Sequence, residues 1–114
     1  MPILTTQQAI EHCRADPVAD VAMVELYLNA AIDAAQDYLG RQVFADKAEM
    51  DAAVLAGTAG LSPMVATFAV KAAVLLICAH LFINRETVTT GVQSFAMPMG
   101  AHDLLRPHRI GAGL

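Results

Sequence analysis

Apolar residues recur at steps of three and four between positions 20 and 39, crowd almost without interruption between 62 and 83, and alternate with threonine and glycine beyond 87. Each pattern predicts a different element. In the first stretch Val24, Leu28, Ala31, Ala35 and Leu39 make one stripe while Glu25, Asp33 and Asp37 stay off it, the signature of an amphipathic helix that packs along one face. Asp16 with Pro17, or Asp20 a turn later, is placed to cap its start, and Gly40 supplies a left-handed stop.

Upstream, Thr5 and Gln8 have capping-box spacing and predict a short helix over residues 6–14, with Ile10 and Cys13 inward and Asp16-Pro17 closing it. Downstream, Arg41-Gln42-Val43-Phe44 reads as a connector whose Val43 and Phe44 pin the loop to the core. A third helix of modest periodicity is predicted over 46–56, followed by the Gly57-Thr58-Ala59-Gly60 break. Ser62 then reads as a cap and Pro63 as a first-turn proline for the long apolar helix ending at Ile83. A helix this apolar needs neighbours on more than one side, and a chain of 114 residues has few to offer, which points to self-assembly.

After the polar knot Asn84-Arg85-Glu86, residues 87–96 carry β-branched side chains around Gly91 and lose the helical period. They predict an extended arm or weak hairpin, marginal alone and suited to pairing with another molecule. Pro98 and Gly100 end the arm. Residues 102–106 have room for barely one helical turn before Pro107, and Gly111-Ala112-Gly113 is expected to fray. No internal repeat is present.

Composition agrees with a helical reading: 56% of residues are hydrophobic, only 5% aromatic, and tryptophan is absent. The fold class expected is mostly α, a small bundle of about four helices with an extended arm or β-hairpin and a short C-terminal helical tail. At this length it is one domain, with a helical body over about 5–86, an arm over 87–100 and a tail over 101–114. The formal charge of −4 is unevenly spread. Nine acids face three bases up to Asp51; beyond it Lys71, Arg85, Arg106 and Arg109 face Glu86 and Asp103. An acidic half can meet the basic tail of a neighbouring copy, or simply be a solvated helix surface. No patch is basic enough for non-specific duplex binding.

Residues 64–83 are apolar enough to raise a membrane span. Lys71 near the middle opposes it, by about 3 kcal/mol on insertion scales, and the flanks lack aromatic belts, so a buried helix is favoured. The first residues have no basic segment before an apolar core, so no signal peptide is expected.

Candidate chemistry is sparse. Cys13 and Cys78 are far apart in the chain and lack CxxC spacing, which suits buried free thiols. His12 beside Cys13 and His80 two after Cys78 do not face those cysteines on a helix, so no metal is expected. Asp33 and Asp37 share a helix face without a histidine partner, Ser62 and Ser94 are outside any nucleophile elbow, and the Gly57–Gly60 break lacks the lysine of a phosphate loop. The chain is expected to be no enzyme and to need no cofactor. Lys71 reads either as an edge lysine with its stem along the surface or as a residue at a subunit boundary. Arg85 and Glu86 are candidates for pairing between copies, and Met97 and Met99 around Pro98 for an adaptable contact surface.

The order of these features resembles a known family. The run Tyr27-Leu28-Asn29-Ala30-Ala31-Ile32-Asp33-Ala34-Ala35-Gln36-Asp37-Tyr38-Leu39-Gly40-Arg41, then Ser62-Pro63, then the helix through His80-Leu81-Phe82-Ile83-Asn84-Arg85-Glu86, then Pro98 and Leu104-Leu105-Arg106-Pro107-His108-Arg109, is similar to the small head-tail connector proteins of tailed phages and prophages. Phe82 and His108 stand where tyrosine is usual, and the stretch 46–60 matches least well. The resemblance implies a structural α-helical subunit in a ring beneath the portal, extending the DNA channel, in the virion neck after assembly in the host cytoplasm. Its implied partners are other copies of itself, twelve in the particle, the portal protein and the next neck or tail-completion protein. DNA would pass without sequence-specific binding and no membrane is involved.

On this reading Lys71, Arg85 and Glu86 act at subunit contacts. Residues 87–99, with Val88, Val92, Phe95, Met97 and Met99, form an arm reaching a neighbour, and Leu104, Leu105, Arg106 and Arg109 form a docking tail. Two other classes stay open: a small holin-like membrane protein using 64–83 as its span, and a soluble helical nucleic-acid or regulatory adaptor.

Overall fold

A computed structural model of the chain describes residues 3–84 and 98–110. It is mostly helical with one small sheet. In chain order the described elements are α1 (Thr6–Cys13), α2 (Val21–Leu39), β1 (Val43–Phe44), α3 (Lys47–Ala56), β2 (Met64–Val65), α4 (Phe68–Ile83), α5 (Met99–Leu105) and a 3-10 turn (Arg106–His108). Residues 87–97 of the arm expected over 87–100, with Val88, Val92, Phe95 and Met97, lie outside the described residues, as do Arg85 and Glu86.

The first helix starts as its capping box dictates. Gln8 N donates to Thr5 Oγ1 at 3.1 Å, and Thr5 N donates to Gln8 Oε1 at 2.8 Å. It ends on Arg14, a non-glycine residue in the left-handed region at φ 54°. Of the two starts open for α2, the helix takes the later one, beginning at Val21. Asp20 occupies the cap position without a side-chain bond to the helix. Asp16 instead organises the preceding turn, its Oδ1 accepting from the backbone N–H groups of Val18 and Ala19. The buried residues of α2 are Val24, Leu28, Ala31, Ala35 and Leu39, the stripe read from the sequence. Gly40 closes the helix at φ 71°.

The long apolar helix begins five residues later than Ser62 and Pro63 suggest. Ser62 has a left-handed backbone at φ 49°, and Met64–Val65 form a strand. The true cap is Thr67, whose Oγ1 accepts from Val70 N at 3.2 Å. The strand pairs in parallel with Val43–Phe44, in the register Val43 with Met64 and Phe44 with Val65. What reads locally as a connector and a first helical turn is thus one two-stranded clip, with α3 crossing between its strands. Val43 and Met64 are both buried in the common core.

Helix α4 is the centre of the body. Val70, Ala73, Val74, Ile77 and Cys78 are buried, and the helix packs against α1, α2 and α5. Most of its apolar surface is therefore satisfied inside the chain, and the excess expected from the sequence is confined to its ends, where Phe68 and Ile83 are 88% and 74% exposed. No helix among the described residues is long and apolar enough to cross a membrane, which removes the span considered for 64–83. The tail also exceeds the single turn expected over 102–106. Pro98 caps a helix that starts at Met99, and Ala101 and Leu105 of that helix are buried.

Candidate assembly surface

Two of the segments that carry the family resemblance meet in space. At the end of α2, Arg41 donates from Nε to Ser62 O at 2.7 Å, from Nη1 to His108 O at 3.1 Å and from Nη2 to Pro63 O at 3.4 Å. One guanidinium thus ties the helix end, the loop before β2 and the C-terminal turn together, a task its rigid fork of donors suits. In return Arg109 donates from Nε to Tyr38 O at 2.8 Å and lies over the Tyr38 ring, 4.6 Å from its centroid. His102 also stacks on Tyr38, with ring centroids 5.0 Å apart. Ile110 N donates to Leu39 O at 3.0 Å and completes the clasp.

The sequence-predicted contact residues that lie among the described residues differ in exposure. Leu105 has no exposed surface, because it belongs to the core of its own chain. Arg109 is exposed but engaged on Tyr38. Leu104 and Lys71 are half-buried, while Arg106 and Met99 are exposed. The Lys71 ammonium lies 5.8 Å over the ring of Phe68, and Arg106 forms an exposed ion pair with Asp103 at 3.8 Å, worth at most about 1 kcal/mol. The segment read as a docking tail is anchored at Leu105, His108 and Arg109 on the body that precedes it.

Around the clasp lies an open cleft of about 460 Å³ lined by Gln36, Asp37, Gly40, Arg41, Gln42, Ala59, Gly60 and Leu61. Its two glutamines hold the fold: Gln36 Oε1 accepts from Val43 N, and Gln42 Nε2 donates to Thr58 O. Leu61 at its rim is 85% exposed, and Leu55 on the last turn of α3 is 92% exposed. A second apolar group lies at the other end of α2, where Val18, Val21, Met23 and Leu26 are exposed. Along the outer side of the helix Glu25, Asp33 and Asp37 are also exposed. Among the described residues no group of three or more histidine, cysteine or acidic side chains could hold a metal ion.

Sequence reasoning did not single out Arg41 and Tyr38 as partners of the tail, since nothing local in either segment announces a contact some seventy positions away. It also missed the meeting of Cys13 and Cys78, whose sulfurs lie 4.0 Å apart between α1 and α4. Burial pushes both thiols up, that of Cys78 to about 12.

The family model for the phage gp6-like head-tail connector protein matches residues 4–109. No curated protein and no solved structure matches the chain. With the match running from the residue before the first capping box to the arginine on Tyr38, the chain belongs to the phage head-tail connector family, a family of structural proteins.

Proposed function

We propose that the chain is a connector subunit that closes into a ring below the portal, extends the DNA channel and joins capsid to tail. The observation that carries this reading is the pair of uncovered apolar groups at opposite ends of α2. Leu26 marks one, and Leu61, beside Gln36 and Asp37, marks the other. Ten residues of helix separate Leu26 from Gln36, or about 15 Å. Two different patches on one subunit suit a heterologous, head-to-tail contact, the kind that generates rings. The exposed acids along the same helix, Glu25, Asp33 and Asp37, suit a channel through which DNA moves without being held by its phosphates.

Other contacts belong to the same proposal. Lys71, Met99, Leu104, Arg106 and Arg109, with Arg85, Glu86 and the arm over 87–97, serve neighbouring copies, the portal or the next neck protein. The copy number in the particle is twelve.

Light scattering coupled to gel filtration, over a concentration series and with the cognate portal protein added, tests this. The expected result is a closed oligomer of about a dozen copies, alone or on the portal. Leu26→Glu and Leu61→Glu should each abolish it, and an equal mixture of the two variants should stop at a dimer through the single intact pairing. A wild-type chain that stays monomeric with the portal present would overturn the reading.

A further inference from the structure

The only two cysteines of the chain, 65 positions apart, meet with their sulfurs 4.0 Å from one another. Cys13 is half-buried on the last turn of α1, whereas Cys78 is fully buried in the middle of α4. We propose that Cys13 and Cys78 are a redox-closable pair: exchange with an oxidised small thiol such as oxidised glutathione converts them to an intrachain disulfide that ties α1 to α4.

Accessibility sets the order of steps. Cys13, the more exposed sulfur, attacks one sulfur of oxidised glutathione as the thiolate, forming a mixed disulfide and releasing one reduced glutathione. Cys78 then attacks the Cys13 sulfur, the protein disulfide forms, and the second glutathione leaves. Two protein thiols are oxidised, one glutathione disulfide is reduced, and both thiol protons end on the released glutathione. Neither cysteine has a competing partner within the chain, because there is no third.

Closure requires the sulfurs to approach from 4.0 Å to a bonded separation of about 2.05 Å. The element that can supply this movement is α1. It has eight residues, too few to persist alone, and it buries only Ala9 and Ile10. It ends on Arg14 in a left-handed conformation that L-residues resist. The raised thiols keep both sulfurs protonated near neutrality, so exchange is slow there and accelerates with pH. A pair of this kind stays reduced in a reducing compartment and closes outside it. The alternative is two small side chains that merely fill the α1–α4 seam.

The test uses the folded full chain at about pH 8 with excess oxidised glutathione, followed by free-thiol count, intact mass and peptide mapping. Expected are the loss of both thiols, a chain lighter by two hydrogens with no glutathione retained, and a Cys13–Cys78 linked peptide. The melting temperature should rise by about 10 °C and return on adding dithiothreitol. In Cys13→Ser, Cys78 should remain unmodified for as long as the wild type takes to close. A persistent glutathione adduct, a covalent dimer, or both thiols intact when the urea-unfolded chain has been fully oxidised would overturn the proposal. These readouts are covalent, so their failure leaves the ring reading untouched, and failure of the ring leaves them untouched.

Discussion

Arg41 and His108, 67 positions apart, are joined by a hydrogen bond from the Arg41 Nη1 to the His108 carbonyl oxygen at 3.1 Å. The same guanidinium reaches Ser62 O and Pro63 O, so one side chain holds the two segments that flank the end of α2. Arg41→Ala should destabilise the fold by about 2 kcal/mol, since bonds from a charged donor contribute more than neutral ones and three carbonyls lose a partner. Arg41→Lys should recover less than half of that, because an ammonium cannot reproduce the fork. Urea unfolding midpoints measure both; an Arg41→Lys variant as stable as wild type would show that charge alone suffices.

Gly40 and Gly57 both close helices in the left-handed region, at φ 71° and 76°, but their surroundings differ. A Cβ at Gly40 would lie 3.2 Å from the Ile110 carbonyl oxygen, whereas at Gly57 nothing lies within 4 Å. Gly57→Ala should therefore cost about 1 kcal/mol from backbone conformation alone. Gly40→Ala should cost about 2 kcal/mol, the difference coming from displacement of the tail from Leu39. Thermal unfolding of the two variants side by side separates the terms, and equal losses would mean that the tail yields freely.

Asp16 accepts from the backbone N–H groups of Ala19 and Val18, and these bonds hold its carboxyl below the ordinary value of 3.8. The sign follows from linkage: a depressed folded value gives stability that is fully present above 3.8 and is lost as pH falls through the lower, folded value. Asp16→Asn should remove that part of the acid dependence and leave a slightly less stable protein at neutral pH. Melting temperatures taken from neutral pH down to about pH 2 check this, and superimposable acid limbs would refute it.

Local chemistry accounts for what the sequence discloses most directly. The Thr5–Gln8 capping box, the stripe on α2, the stop at Gly40 and the span of α3 after Asp46 depend on residues within a turn or two of each other, and all lie where the pattern puts them. The start of α4 misleads for an equally physical reason. Ser62-Pro63 has the chemistry of a helix start, but Met64 and Val65 gain more by pairing with Val43 and Phe44, and a pairing across twenty-one positions leaves no mark on local periodicity. The tail shows the same limit. Leu105 reads as a contact for another molecule, and the place of Arg109 on Tyr38 goes unannounced, because their partners within the chain are distant in sequence.

The candidate site was legible in kind more than in place. Uncovered apolar surface was anticipated for the body of the long helix, yet α1, α2 and α5 cover that body, and the exposed side chains gather at the ends of α2, on the last turn of α3 and at the two ends of α4. Which of two faces a helix buries depends on what the rest of the chain brings to it, and a helix apolar all round carries no periodic signal to say so.

The two-residue clip of β1 and β2 has a consequence for how the chain can vary. Residues 45–63 leave the body beside Phe44 and return to it beside Met64, so the departure and re-entry points are neighbours. The intervening α3 contributes no buried residue to the core. The α3 part of this excursion can be lengthened or rebuilt with little disturbance to the helices beneath, so long as the Thr58, Ser62 and Pro63 carbonyls keep their bonds to Gln42 and Arg41, because doubling such a loop adds only about 0.6 kcal/mol of closure entropy. The clip thus makes α3 an interchangeable appendage, whose outer surface can be refitted to a new neighbour while the framework that carries it stays the same.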